Sequence, residues 1–206
     1  MIDSISKVLD ELETQSDLEK LRRVNVPHED RMLAITKETG ELLNMILRLK
    51  NAKNMLEVGM STGYSTIWCA EAISMQSGKI ITIEQNPSKI KRAKENFQKA
   101  GVLDTITIKE GLAMQVLTEL SLQQRYKDFF DFVLIDADKE NVIEYFDLIL
   151  PMVSAGGVIV TDNMLYPEKF REEMKKFSDY LRANPKLRTI TSPIGNGEEI
   201  TIKLIL

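Results

Sequence analysis

Two apolar runs in this 206-residue sequence end alike. "FDFVLI" runs into Asp136, with Asp138 and Lys139 close behind, and "GGVIVT" runs into Asp162 and Asn163. Two carboxylates and one amide oxygen are hard donors. They suit Mg²⁺, or another oxygen-seeking divalent cation such as Mn²⁺ or Ca²⁺, with waters or substrate completing its shell. Zinc would ask for histidine or cysteine, and the lone His28 and Cys69 lie elsewhere. Each piece has a plainer reading when taken alone. "TDN" also reads as an Asx turn capping the next helix. Asp136 also reads as the solvated exit of a buried strand, and Lys139 as a surface lysine paired with Asp138 or Glu140.

A second group surrounds a glycine turn. In "LEVGMSTGYS", Leu56 to Ser65, Gly59 and Gly63 let the chain turn tightly near a ligand, and the following helix offers free N–H groups. The spacing is not Gly-x-Gly-x-x-Gly, so a dinucleotide fingerprint is missing. Glu57 would repel a pyrophosphate and suits a ligand carrying a positive amino group or sulfonium. Glu84 ends "IITIE", where a carboxylate can accept both hydrogen bonds of a ribose diol. Gly111, in "EGLA", permits close approach of a flat ring.

Positioning these residues requires strand ends, and the pattern provides them. Apolar residues at helical spacing fill most of the first fifty positions, with a break near Pro27. Strands at "KNMLEVG", "GKIITIEQ", "TITIKEG", "FDFVLIDA" and "GGVIVTDN" then alternate with helices. "NPSKIKRAKENFQKAG" has Asn86 as N-cap, Pro87 in the first turn and Gly101 past the end. "NVIEYFDLILPMV" reads as helix throughout. The last twenty residues form two alternating segments around Gly-Asn-Gly, a β-hairpin. The expected fold is α/β, a doubly wound, mainly parallel Rossmann-like sheet with an antiparallel last strand and N-terminal helices. One domain over residues 1–206 is expected, with 1–50 as a helical extension inside it. Ligands in such sheets sit beyond the carboxyl ends of the strands, where every candidate above falls.

Composition narrows the classes. The formal net charge of −4 argues against a generic nucleic-acid binder, despite local basic stretches at "LEKLRR" and "KIKRAKENFQK". No apolar run approaches the roughly 20 residues of a membrane-spanning helix. The polar, acidic start is unlike a signal peptide, and a single cysteine excludes an internal disulfide. A cytoplasmic protein with no membrane partner is expected.

Taken together, "ETGELLNMILRLKNAKNMLEVGMSTGYST", "ITIEQNP", "FDFVLIDADKENV" and "GGVIVTDNMLYP" resemble the cation-dependent, S-adenosylmethionine-dependent O-methyltransferases, the group of catechol and caffeoyl-CoA O-methyltransferases. The resemblance implies a seven-stranded sheet, a homodimer, and a phenolic small molecule as methyl acceptor. The alternative acceptor is 5-hydroxyuridine in tRNA. It implies that Glu57, Gly59, Met60, Ser61, Gly63, Tyr64 and Ser65 surround the methionine portion of the cofactor. Glu84 and Gln85 would hold the ribose, and Gly111, Leu112 and Ala113 the adenine, with Asp136 also beside the cofactor. Asp136, Asp162 and Asn163 would be metal ligands, with Asp136 and Lys139 at the chemistry. A dication disfavours a neighbouring ammonium, which would leave Lys139 able to take the acceptor's proton. The sequence departs from the plant enzymes after the metal ligands. Their tryptophan and asparagine are replaced here by "MLYPEKF", where Tyr166 could stack on a flat substrate or merely cover the site. Glu198 and Glu199 lie near a family substrate glutamate, in a register the sequence leaves open.

Overall fold

The computed structural model describes residues 3–205. Met1, Ile2 and Leu206, the extreme ends of the expected domain and hairpin, lie outside the described residues. Seven strands form one sheet: β1 (Asn54–Val58), β2 (Lys79–Glu84), β3 (Ile106–Glu110), β4 (Phe130–Ile135), β5 (Val153–Thr161), β6 (Leu187–Ser192) and β7 (Glu198–Lys203). Their order is β3-β2-β1-β4-β5-β7-β6. The first five pair in parallel, and β7 inserts antiparallel between β5 and β6. All seven expected strands are present, and the terminal hairpin supplies the antiparallel one.

Among the described residues, seven α-helices sandwich the sheet: α1 (Asp3–Lys20), α2 (Lys37–Lys50), α3 (Tyr64–Ser74), α4 (Pro87–Ala100), α5 (Ala113–Ser121), α6 (Val142–Ile149) and α7 (Arg171–Ala183). Central strands are buried on both sides, so they read as unbroken apolar runs rather than alternating ones. In β4, Phe132 and Leu134 pack with Leu43, Leu47, Ile67 and Phe97 of α2, α3 and α4. Val133 and Ile135 pack on the opposite side with Leu117, Phe146 and Phe177 of α5, α6 and α7. Among the described residues, no helix is long and apolar enough to cross a membrane.

Local signals set the helix starts. Asn86 caps α4, its side chain accepting from the N–H groups of Ser88 (2.8 Å) and Lys89 (3.2 Å). Thr36 caps α2 by accepting from Thr39 N–H at 3.2 Å. The expected break near Pro27 spans positions 21–36, which hold a short 3₁₀ turn at His28–Asp30. One reading needs correction. Helix α6 stops at Ile149, and "VSA" already belongs to β5. An apolar run such as "LILPMV" carries no period that separates buried helix from buried strand.

The β1 turn meets the β4 end at Gly59. Its φ is +96°, and a Cβ there would lie 2.0 Å from the carbonyl oxygen of Asp136. Gly101, at φ +73°, has nothing within 4 Å of the same virtual atom. Gly101→Ala should therefore cost about 1 kcal/mol, for left-handed backbone alone. Gly59→Ala should cost about 3 kcal/mol or more, because a backbone carbonyl must also move. Urea unfolding of both variants checks this, and equal losses would show that the contact with Asp136 does not matter.

Candidate active site

Strand register places the candidate residues in one rank. Val58 is level with Ile83 on one side and Ile135 on the other, and Ile135 with Thr161. One residue further, Gly59 stands between Glu84 and Asp136, and Asp136 stands beside Asp162. Antiparallel β7 pairs Glu199 with Thr161, which sets Glu198 opposite Asp162. Glu110 continues the rank next to Glu84. The carboxyl edge of the sheet is thus a row of acids interrupted by a glycine.

At the β5–β7 end the row is buried, and Asp136 beside it is half-buried. Asp162 is 2% exposed, and its Oδ1 accepts from Asn163 N–H at 2.6 Å. This Asx-like bond caps nothing, since the next helical turn starts only at Glu168. Asn163 has φ 67°, a left-handed value that asparagine tolerates. Lys139 is buried, with Nζ 3.6 Å from Asp136 Oδ1, so it is not the surface lysine of the plainer reading. Asp138 braces the loop instead, accepting from the side chains of Asn141 and Tyr145.

Sequence reasoning left Glu198 and Glu199 unassigned, and the sheet separates them. Glu199 faces α7, accepting from Ser178 (3.1 Å), Thr189 (2.6 Å) and Thr191 (2.6 Å) with Arg182 at 3.8 Å. Glu198 joins the acidic row. Its Oε1 accepts from Thr39 Oγ1 at 2.8 Å, while its buried Oε2 has no hydrogen-bond partner among the described residues. The missing signal was the hairpin register, which alternation of "EEIT" alone cannot fix.

At the other end, half-buried Glu84 accepts from three backbone N–H groups: Ser61 (2.8 Å), Gln85 (2.9 Å) and Asn86 (3.0 Å). Gly111 N–H donates to the Glu84 carbonyl at 2.9 Å, so Gly111, Leu112 and Ala113 flank the same edge. The residues of the glycine turn divide. Met60 is core, and Tyr64 donates its hydroxyl to Glu13 of α1 at 2.7 Å, so neither side chain faces the edge. Glu57 was expected to face a positive ligand. Its carboxylate instead lies beneath the turn, accepting from Ser65 (2.6 Å), Thr66 (2.6 Å) and Thr82 (2.5 Å). Gly63 starts α3 at φ +89°, and a Cβ there would strike the Phe97 ring. Both glycines serve close packing of the turn.

The family model described as O-methyltransferase matches residues 9–205. The chain belongs to that family. It is an S-adenosylmethionine-dependent O-methyltransferase, and the resemblance to the cation-dependent group holds. Caffeoyl-CoA O-methyltransferase 1 of Arabidopsis thaliana is 31% identical over 195 residues, covering 87% of this chain and 75% of that protein. The O-methyltransferase TomG of Streptomyces achromogenes, solved with S-adenosylmethionine and involved in tomaymycin synthesis, aligns at TM-score 0.78 and 25% identity. That alignment covers 100% of this chain and 91% of TomG. An O-methyltransferase from Bacillus cereus, solved with S-adenosylhomocysteine, shares the fold at TM-score 0.78 and 24% identity, over 96% of this chain and 90% of its own.

The methyltransferase's acidic row has a particular electrostatic state. Burial and then the Asp162 carboxylate push Asp136 up to about 7. Burial raises Asp162, and burial followed by Asp162 pushes Glu198 up to about 10. Among the described residues, no three histidine, cysteine, aspartate or glutamate side chains are grouped to hold a metal ion between them. The set that fits a hard cation is smaller: the carboxylates of Asp136 and Asp162 with the amide oxygen of Asn163. Mutual repulsion of the two carboxylates and the unpartnered oxygen of Glu198 suit added positive charge.

A pH-dependent stability follows. In the metal-free enzyme these carboxyls hold protons more tightly than in the unfolded chain. Their stabilising share is full below the ordinary carboxylate range and is lost as pH rises through about 7 for Asp136. A cation held there would compete with those protons. Millimolar Mg²⁺ should therefore raise the melting temperature more at pH 8 than at pH 5, by about 4 °C or more. Asp136→Asn should shrink the difference. Equal Mg²⁺ shifts at both pH values in thermal unfolding would contradict this electrostatic picture.

Proposed function

We propose that the enzyme methylates one hydroxyl of a small aromatic bearing two adjacent oxygens, a catechol or caffeoyl-type acceptor. Asp136, Asp162 and Asn163 would hold a divalent cation beside it. The observation that carries this reading is the pair of neighbouring aspartates, Asp162 buried and Asp136 half-buried, with buried Lys139 against Asp136. When bound, the cation would act as a Lewis acid toward both acceptor oxygens, favouring ionisation of the hydroxyl. Lys139 would take the hydroxyl proton, and its burial keeps it directed into the site rather than toward water. Glu84 would hold the cofactor's ribose, with Gly111 to Ala113 beside the adenine. Much of the acceleration would come from holding acceptor oxygen and methyl group in near contact.

The wall over this site is built by the loop after β5. Leu165 and Tyr166 N–H groups both donate to the Asn196 carbonyl, at 2.9 and 3.2 Å, and Met164 N–H to that of Gly197 at 2.9 Å. These bonds fix a loop whose Tyr166 side chain is 63% exposed, free to lie over a flat ring. The name of the Arabidopsis relative, with its caffeoyl acceptor, points the same way. A tRNA acceptor would need free cations. On α4, the most basic helix, Lys89 is buried, Arg92 pairs with Glu19 at 2.7 Å and Lys94 with Glu110 at 2.9 Å, which leaves Lys91 and Lys99 as its exposed cations outside these pairs.

The test is an assay with labelled S-adenosylmethionine against catechols, caffeoyl esters and undermodified tRNA. Methylation of a catechol or caffeoyl ester is expected, abolished by EDTA and restored by Mg²⁺ or Mn²⁺. Its rate should change less than about threefold between about 50 and 200 mM salt, because no phosphate backbone is gripped. Lys139→Ala should lower kcat by roughly 10²-fold, partly recovered at higher pH where the acceptor ionises unaided. Salt-sensitive methylation of tRNA alone would overturn the acceptor. Full activity in chelator would overturn the cation.

A further inference from the structure

The segment joining α1 to α2, residues 21–36, crosses the edge of the sheet where Glu84 lies. Leu33 N–H donates to Ser61 Oγ at 3.1 Å, and Ser61 N–H in turn donates to Glu84 at 2.8 Å. Asn86, whose N–H donates to Glu84 at 3.0 Å, uses its side-chain amide on the Glu29 carbonyl (3.0 Å) and Asp30 Oδ1 (2.9 Å). The segment therefore rests on the two residues that flank Glu84. Its far side is held by Arg92 of α4. One guanidinium nitrogen donates to the Asp30 carbonyl at 2.8 Å, and the other to Glu19 Oε1 at 2.7 Å. Glu19, 2% exposed, also accepts from Met32 N–H at 2.6 Å. Met32 and Ile35 are buried, but Leu33 is 72% exposed. Behind the segment lies a cavity of about 540 Å³ lined by Leu12, Asn25, Pro27, Asp30 and Arg92. Met32 and Ile35 anchor one end of the strap in the core, while residues 21–30, exposed or half-buried, are held by polar bonds beside open space, which makes that stretch a low-stability element of the fold.

We propose that Arg92 is a positioning residue for the cofactor: by clamping Asp30 and Glu19 it holds the strap closed on Ser61 and Asn86. Arg92 touches no ligand in this arrangement. The proposal rests on Glu84 marking the cofactor's place. Without the guanidinium, Glu19 is left buried without its counter-charge, and the strap is the element best able to move and rehydrate it. If the closed strap is the binding-competent state, apparent affinity falls in proportion to its population.

The experiment is calorimetric titration of S-adenosylmethionine into the wild-type enzyme, Arg92→Met, Arg92→Lys and Glu84→Gln, with hydrogen exchange followed along the chain. Arg92→Met should raise Kd about tenfold, Arg92→Lys should recover most of the loss, and Glu84→Gln should weaken binding without Arg92 being touched. Exchange at residues 28–35 should speed up in Arg92→Met and return when cofactor saturates, with β1 and β4 unchanged. A Kd for Arg92→Met within twofold of wild type overturns the proposal alone. So does faster exchange spread evenly over the sheet, which would make Arg92 merely structural. Normal binding by Glu84→Gln overturns the cofactor placement itself, and with it the role of the strap.

Discussion

Asp136, Asp162 and Glu198 stand side by side because β4, β5 and β7 pair in register, and one buried ammonium, Lys139, lies among them. Burying several carboxylates near one another is costly unless positive charge or protons compensate. Lys139 supplies part of that charge, and the raised proton affinity of the three acids accounts for more. The surrounding architecture keeps the cluster in place. Gly59 lets the β1 turn press against the Asp136 carbonyl, Asp162 N–H donates to Ile135, and Thr39 at the start of α2 donates to Glu198. A sheet edge that is poor as a stabilising device is well suited to hold a cation and a proton acceptor at one point.

The same edge serves two purposes from its two halves. Toward β2 and β3 the acids are satisfied and open to solvent, half-buried Glu84 by backbone N–H groups and exposed Glu110 by Lys94. Toward β5 and β7 they are buried and under-satisfied, as at Glu198 Oε2. Gly59 marks the boundary between them. One rank of strand ends can therefore address a cofactor's neutral hydroxyls on one side and a charged centre on the other, with the distance between them fixed by strand spacing.

Much of this was legible from residues alone. The five parallel strands could be read from short, largely apolar runs that stop at a glycine or a polar residue, and β6 and β7 from alternation around Gly-Asn-Gly. Asp136, Asp162 and Asn163 were chosen from residue type and strand-end position, and adjacency of β4 and β5 does bring the two aspartates together. Roles inside the glycine turn were less legible. Sequence shows that Glu57, Met60 and Tyr64 are near the turn but not which way they point, and tertiary partners decided that: Thr82 from β2, the core, and Glu13 from α1. Glu198 needed a hairpin register that its own alternation does not supply. The strap over residues 21–36 escaped because its fastening joins Glu19, Asp30 and Arg92 across long sequence separations.

Direct observation of a cation on the acidic row tests the central claim most closely. Mn²⁺ titrated into the cofactor-loaded enzyme can be followed by electron paramagnetic resonance, with the free-ion signal reporting what remains unbound. The account predicts one Mn²⁺ bound per chain, displaced by Mg²⁺, and lost in Asp162→Ala while that variant still binds S-adenosylmethionine. Binding of equal strength in Asp162→Ala, or none in the wild type, would contradict it.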